Sequence, residues 1–296
     1  MGEKCFECFF SSREPSSKYD KAIVGVKWMN EKLRKLQLCE LEILKEFVRI
    51  CEKYALKYYL TGGTLLGAAR HHGFIPWDDD IDVAMPRKDY DRFAEICQQE
   101  LGKRYFYQSP ETDPYYFLPY AKIRKNGTTV YEERFRLARF HKGVFIDIFP
   151  LDFCPKPGLF CHFIFNVLAV VNYRCQVDSG ELGIPYKELS GKIGYTILRL
   201  FSKKQIQKLR KYLINISHCL SDGGHVVLYA GAYGYYREVM PQEWYFGQNT
   251  MSFEGSMFSV PAYPDGLLSQ VYGKDYMTAL EQLDERRHIE LDKSTF

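Results

Sequence analysis

Between Leu60 and Met85 the chain reads LTGGTLLGAARHHGFIPWDDDIDVAM, with Asp78, Asp79, Asp80 and Asp82 crowded into five residues. Asp80-Ile81-Asp82 has the i, i+2 spacing of a strand, which puts both carboxylates on one face about 7 Å apart. Ile81, Val83 and Met85 then point to the opposite, buried face. A second apolar stretch, Val144 to Phe149 (VFIDIF), carries Asp147 alone among hydrophobes. A carboxylate there is costly unless it is paired or binds a metal. Three aspartates on neighbouring strands make an all-oxygen site suited to Mg²⁺ or Mn²⁺, which take carboxylates together with substrate phosphates. Such ions neutralise phosphate charge and orient an in-line displacement. A lone D-x-D is common, and acid clusters in loops are usually just solvated. Two further features set this cluster apart: Asp147 and a glycine turn.

Gly62-Gly63-Thr64 ends a short strand and opens a helix. Glycines there let backbone N–H groups approach a phosphate, and the helix N-terminus adds its positive dipole end. Lys122 and Arg124 alternate on one strand. They either clamp a diphosphate or line an exposed sheet edge. Arg70, at the end of the short helix, reaches phosphate or simply answers the helix dipole. Trp77 is a stacking wall or core. Asp78 and Asp79 are supporting acids or surface caps, and His288, after Arg286-Arg287, reads as part of a disordered basic tail.

These residues need elements to hold them. A helical apolar stripe runs from Leu33 to Ala55; strands are expected near Tyr58–Leu60, Ile81–Ala84, Arg104–Gln108, Tyr120–Lys125, Thr128–Tyr131 and Val144–Phe149. A helix should begin at Pro86. Beyond Pro157 the pattern turns helical, roughly 159–175, 187–201 and 203–220, then a strand at Val226–Ala230 and a Tyr- and Gly-rich tail. The reading is α+β in three parts: a loose leader (1–30), a catalytic core (31–155) and a mainly helical part (156–296) that returns to the core.

Composition narrows the function. A net charge of +3 is too small for a polynucleotide binder, so no nucleic-acid partner is expected. Nine scattered cysteines suit a reducing, cytoplasmic setting rather than a disulfide scaffold, and the Cys5–Cys8 pair has no second pair to complete a zinc site. The most apolar run, Leu159 to Val171, is 13 residues and too short to span a bilayer. Six basic residues and no acid between Arg199 and Lys211 could nevertheless rest on anionic lipid, at the inner face of a membrane.

GGTLLGAARHHGFIPWDDDIDV, GVFIDIFPLD and the looser FEGSMFSVPAYPDGLLSQVYGKDYM together resemble the LicD family. The resemblance covers most of residues 38–155 and 250–288. It implies a nucleotidyltransferase-like core sheet with flanking helices, metal binding by Asp80 and Asp82, and Asp147 as third ligand or general base. Gly62, Gly63 and Thr64 would contact donor phosphate. Members of this family transfer phosphocholine or an alditol phosphate from a CDP-type donor, releasing CMP, to glycans such as lipopolysaccharide, teichoic acid or capsule. The implied partners are therefore a nucleotide-diphospho alcohol and a glycan or lipid-linked glycan. Two rivals share the same aspartates: a nucleotidyltransferase releasing pyrophosphate, and a binding module without activity. Aromatic candidates for a choline-binding cage include Trp77, Tyr105, Tyr107, Tyr115, Tyr116, Phe117, Tyr120 and Tyr263.

Overall fold

The computed structural model describes residues 18–180, 189–278 and 288–296, with side chains from residue 31 onward and from 193 in the second segment. Most of the expected leader, including Cys5 and Cys8, lies outside the described residues, as do Arg286 and Arg287. Helix α1 (Lys18–Lys53) begins earlier than the stripe at Leu33 suggests. Strand β1 (Tyr59–Leu60) runs through Thr61 into α2 (Gly62–His71). Strand β2 (Asp82–Pro86) passes directly into α3 (Arg87–Glu100), where Pro86 holds the N-cap position without a side-chain cap bond and Asp89 complements the helix dipole.

Strands β3 (Tyr105–Gln108) and β4 (Ala121–Lys125) form an antiparallel pair beside β5 (Phe145–Cys154). The segment Thr128–Tyr131, expected as a strand, makes only a bridge from Thr129 to Thr295. The helical part follows as α4 (Leu159–Asp178), α5 (Leu189–Leu198) and α6 (Lys203–Cys219), the last opened by a capping box between Ser202 and Gln205. The chain then returns through β6 (His225–Val227), α7 (Tyr235–Glu238), β7 (Val239–Pro241) and α8 (Gln242–Tyr245). A hairpin, β8 (Thr250–Phe253) and β9 (Ser256–Ser259), and α9 (Pro264–Tyr272) follow.

The main sheet has the order β1-β2-β5-β4-β3, and the far half of β5 continues into β6 and β7. Among the described residues only β2 and β5 are parallel neighbours, and their register sets Asp82 opposite Asp147. One face is apolar: Ile81, Val83, Met85, Ile146 and Ile148 are fully buried in one core cluster with Leu36, Ile43, Phe47 and Phe93 from α1 and α3. Pressing that face into the core turns Asp82 and Asp147 to the other side. Among the described residues no helix is long and apolar enough to cross a membrane.

Candidate active site

A cavity of about 300 Å³ opens over the polar side of β2 and β5. Asp78, Asp80, Asp82 and Asp147 line it together with Gly62 and Gly63, so the core of the expected constellation does meet in one place. Strand pairing explains the convergence. The amide of Asp147 donates to the carbonyl of Ile81 at 2.8 Å, and Thr61 N–H donates to the carbonyl of Asp82 at 3.1 Å. Gly62 has φ +56, and a Cβ there would sit 2.8 Å from Asp82 Oδ2, so the turn needs glycine for both its backbone and its closeness to the carboxylate.

The acids are crowded. Burial, followed by the charges of Asp80 and Asp79, pushes the Asp78 carboxyl up to about 8. Burial and Asp80 likewise raise Asp79 to about 7, and Asp82 is pushed well up by burial, then Asp80 and Asp147. Asp147 is buried, and Lys122 Nζ lies 2.6 Å from its Oδ1. Burial raises the Asp147 carboxyl and Lys122 only partly offsets this, while burial lowers the Lys122 ammonium. Carboxylates that repel one another, all facing one cavity, are what a divalent cation relieves.

Several expected phosphate contacts are placed elsewhere. Thr64 is buried and its Oγ1 accepts from the Asp82 amide at 2.8 Å, tying α2 to β2 rather than lining the cavity. Lys122 and Arg124 are neither an exposed edge nor a cavity wall, because β4 is a central strand and both side chains are fully buried. Lys122 reaches the site through Asp147, and its Nζ also lies 5.4 Å from the centroid of the Tyr120 ring. Arg124 donates to Gln108 Oε1 at 2.5 Å and to the Gly143 carbonyl at 2.7 Å, with its guanidinium 4.7 Å above the Phe145 ring. Arg70 Nη1 donates to the Tyr276 carbonyl at 3.1 Å, and Trp77 packs against the core. Asp79 is buried rather than a surface cap, and its Oδ2 accepts from the Ile289 amide at 2.7 Å.

That bond brings His288 to the cavity wall, where a tail was expected. Ligand atoms of Asp79, Asp80 and His288 lie within 4.8 Å of one another.

Other residues of the site carry no sequence motif. Glu40 on α1 is wholly buried and neither carboxylate oxygen has a hydrogen-bond partner; burial, then Asp80, Asp79 and Asp78, pushes its pKa well up. Tyr233, Tyr245, Tyr272 and Glu238 also line the cavity, with Tyr120 and Phe149. Tyr233 and Tyr272 share a hydrogen bond of 2.7 Å between their hydroxyls. Of the aromatic residues expected in a cage, only Tyr120 lines this cavity.

Glu238 is buried, accepts from the Tyr233 amide at 3.0 Å, and is pushed up to about 7 by burial. A raised carboxyl favours the fold below its unfolded pKa of about 4.3, and that advantage is lost as pH rises through 7. Glu238→Gln should therefore stabilise the protein at pH 8, by up to about 3 kcal/mol, and give no gain at pH 4. Thermal melts at the two pH values read this directly; equal shifts at both would show that the Glu238 carboxyl titrates normally.

Residues 55–164 match the family model described as LicD/FKTN/FKRP, nucleotidyltransferase domain. The chain is 32% identical over 266 residues to the lipopolysaccharide cholinephosphotransferase LicD of Haemophilus influenzae, which spans 86% of this chain and 95% of that one. The human ribitol 5-phosphate transferase FKRP is 38% identical over 68 residues, 22% of this chain and 14% of its own. A Rickettsia typhi protein is 40% identical over 65 residues, 21% of either chain. The near end-to-end match to the first of these carries the conclusion that this chain is an enzyme of the LicD family.

Proposed function

We propose that the chain transfers a phospho-alcohol group, phosphocholine first among them, from a CDP-linked donor to a sugar hydroxyl of a cell-surface glycan, releasing CMP. The observation that carries this reading is the pairing of Asp82 with Asp147 on parallel strands, facing a cavity walled by tyrosines around a buried Glu238. The names of two relatives agree with it, since one is a lipopolysaccharide cholinephosphotransferase and another a ribitol 5-phosphate transferase.

Asp80 and Asp82, with Asp147 as a third oxygen donor, fit Mg²⁺ or Mn²⁺, because every donor is a hard oxygen and Lys122 offsets their repulsion only in part. A bound ion would supply charge neutralisation at the donor diphosphate. Gly62 and Gly63 line the cavity at the start of α2, where backbone amides suit phosphate oxygens, and their missing side chains make way for the Asp82 and Asp78 carboxylates. Asp147, oriented by Lys122, completes the ligand set or takes the proton of the attacking hydroxyl. A quaternary ammonium offers no N–H donor, so the faces of Tyr120, Tyr233 and Tyr272 with the Glu238 carboxylate suit that head group. We place the reaction on the cytoplasmic side of the membrane, a reducing setting that suits free cysteines such as Cys39, Cys51 and Cys97.

Donor competition tests the reading. CDP-choline should be preferred over CDP-ethanolamine and CDP-ribitol by at least about fivefold in kcat/KM, roughly 1 kcal/mol. CMP should accumulate stoichiometrically with transferred product. Equal use of CDP-choline and CDP-ribitol would remove the aromatic head-group site and leave the nucleotide half standing. Pyrophosphate as the product would overturn the reaction class itself.

A further inference from the structure

Helix α4 has no Asp, Glu, Lys or Arg from Leu159 to Tyr173. One face is accounted for: Cys161, Ile164, Phe165, Leu168 and Val171 are buried. The other face is not. Leu159 is 92% exposed and Phe163 63%, with Phe160 exposed beside them. A solvated helix face ordinarily carries charge. Helix α5 extends this surface, since Tyr195 stacks edge-on against Tyr173 with ring centroids 5.0 Å apart, and a Cβ at Gly194 would meet Val170 at 3.2 Å. Ile193 and Ile197 on α5 are exposed, and Leu200 just beyond it is 84% exposed.

Basic residues flank the apolar strip. Lys156 precedes α4, and Arg199, Lys203 and Lys204 follow α5 without an intervening acid. Lys203 Nζ donates to the Asp178 carbonyl at 2.9 Å, which holds this basic run at the far end of α4. A two-fold dimer through this face would set one copy's basic run against the same face of the other. Apolar side chains at the acyl boundary with cations among headgroups is instead the pattern of an interfacial helix.

We infer that the outer face of α4 and α5 docks on an anionic lipid surface. The inference rests on no reading of the reaction.

Vesicle sedimentation of the full chain tests it. The protein should pellet with phosphatidylcholine vesicles containing about a third phosphatidylglycerol, pellet poorly with pure phosphatidylcholine, and be largely released in about 1 M salt, where screening acts within about 3 Å. Phe160→Ser with Phe163→Ser, and separately Arg199→Gln with Lys204→Gln, should each lower partitioning about tenfold, with unchanged circular dichroism. The charge pair is exposed, so it keeps the test decisive if the apolar pair misfolds. Failure to pellet with the anionic vesicles, or undiminished binding by the charge pair, would overturn the inference. So would a dimer in size-exclusion chromatography that the Phe pair converts to monomer, because that assigns the face to a second copy.

Discussion

Asp82→Asn should bring turnover down at least a thousandfold, about 4 kcal/mol of transition-state stabilisation, while the protein melts no lower than its parent. Asp80→Asn should behave alike. The two halves of this expectation have separate causes. Activity falls because a neutral amide is a far weaker ligand for a hard cation than a carboxylate is. Stability holds, or rises, because Asp82 is buried beside Asp80 and Asp147, and each lost charge relieves repulsion in the metal-free protein. Added Mg²⁺ should raise the melting temperature of the parent and not of the variant. The effect should grow from pH 6 to pH 9, because Asp78 and Asp79, with pKa values of about 8 and 7, lose their protons over this range and add negative charge beside the ligands. More than about a tenth of parental turnover in Asp82→Asn at saturating Mg²⁺ would remove the metal assignment.

Arg87→Ala should destabilise the fold by about 3–5 kcal/mol. Asp152 is wholly buried on β5, and Arg87 grips both of its oxygens at 2.7 and 2.8 Å. His218 of α6 adds a third contact at 2.9 Å. Burial alone would push the Asp152 carboxyl up, yet the charge and hydrogen bonds of Arg87, with His218, hold it at about 2. Its stabilisation is present above the unfolded carboxylate pKa near 3.9 and is lost as pH falls through 2. Arg87→Ala leaves that charge without its main partner, whereas Arg87→Met with Asp152→Leu removes both and should recover most of the loss. Chemical denaturation of the three variants separates these outcomes; a loss under about 1 kcal/mol for Arg87→Ala would mean that water or His218 already solvates the carboxylate.

What the sequence made legible follows from distance along the chain. The glycine turn and D-x-D lie within 21 residues, and alternation alone shows which face of β2 is polar. Asp147 stood out because a charge in an apolar strand needs a reason. Lys122 and Arg124 misled because their alternation is equally that of an edge strand, and only the order β5-β4-β3 makes β4 central. Glu238, Tyr233 and Tyr272 reach the cavity from more than 140 residues beyond the D-x-D, and no local pattern marks a carboxylate that a distant turn will bury. The aromatic richness was visible, but which rings would line a pocket was not: Tyr116 and Tyr107, both named in advance, are core.

The bond from the Ile289 amide to Asp79 joins residues 210 positions apart, and the same segment anchors at Tyr131 through Glu290 and Ser294. Synthesis from the N-terminus therefore imposes a delay. At roughly 5–20 residues per second, Asp79 leaves the ribosome about 10–40 s before the segment that seats it. During that interval Asp79 lacks its amide donor and His288 does not yet exist, so a nascent chain carries the acidic cluster without its final wall. Emergence of residues 288–294, rather than folding of the sheet, then sets the moment at which the cavity is first complete.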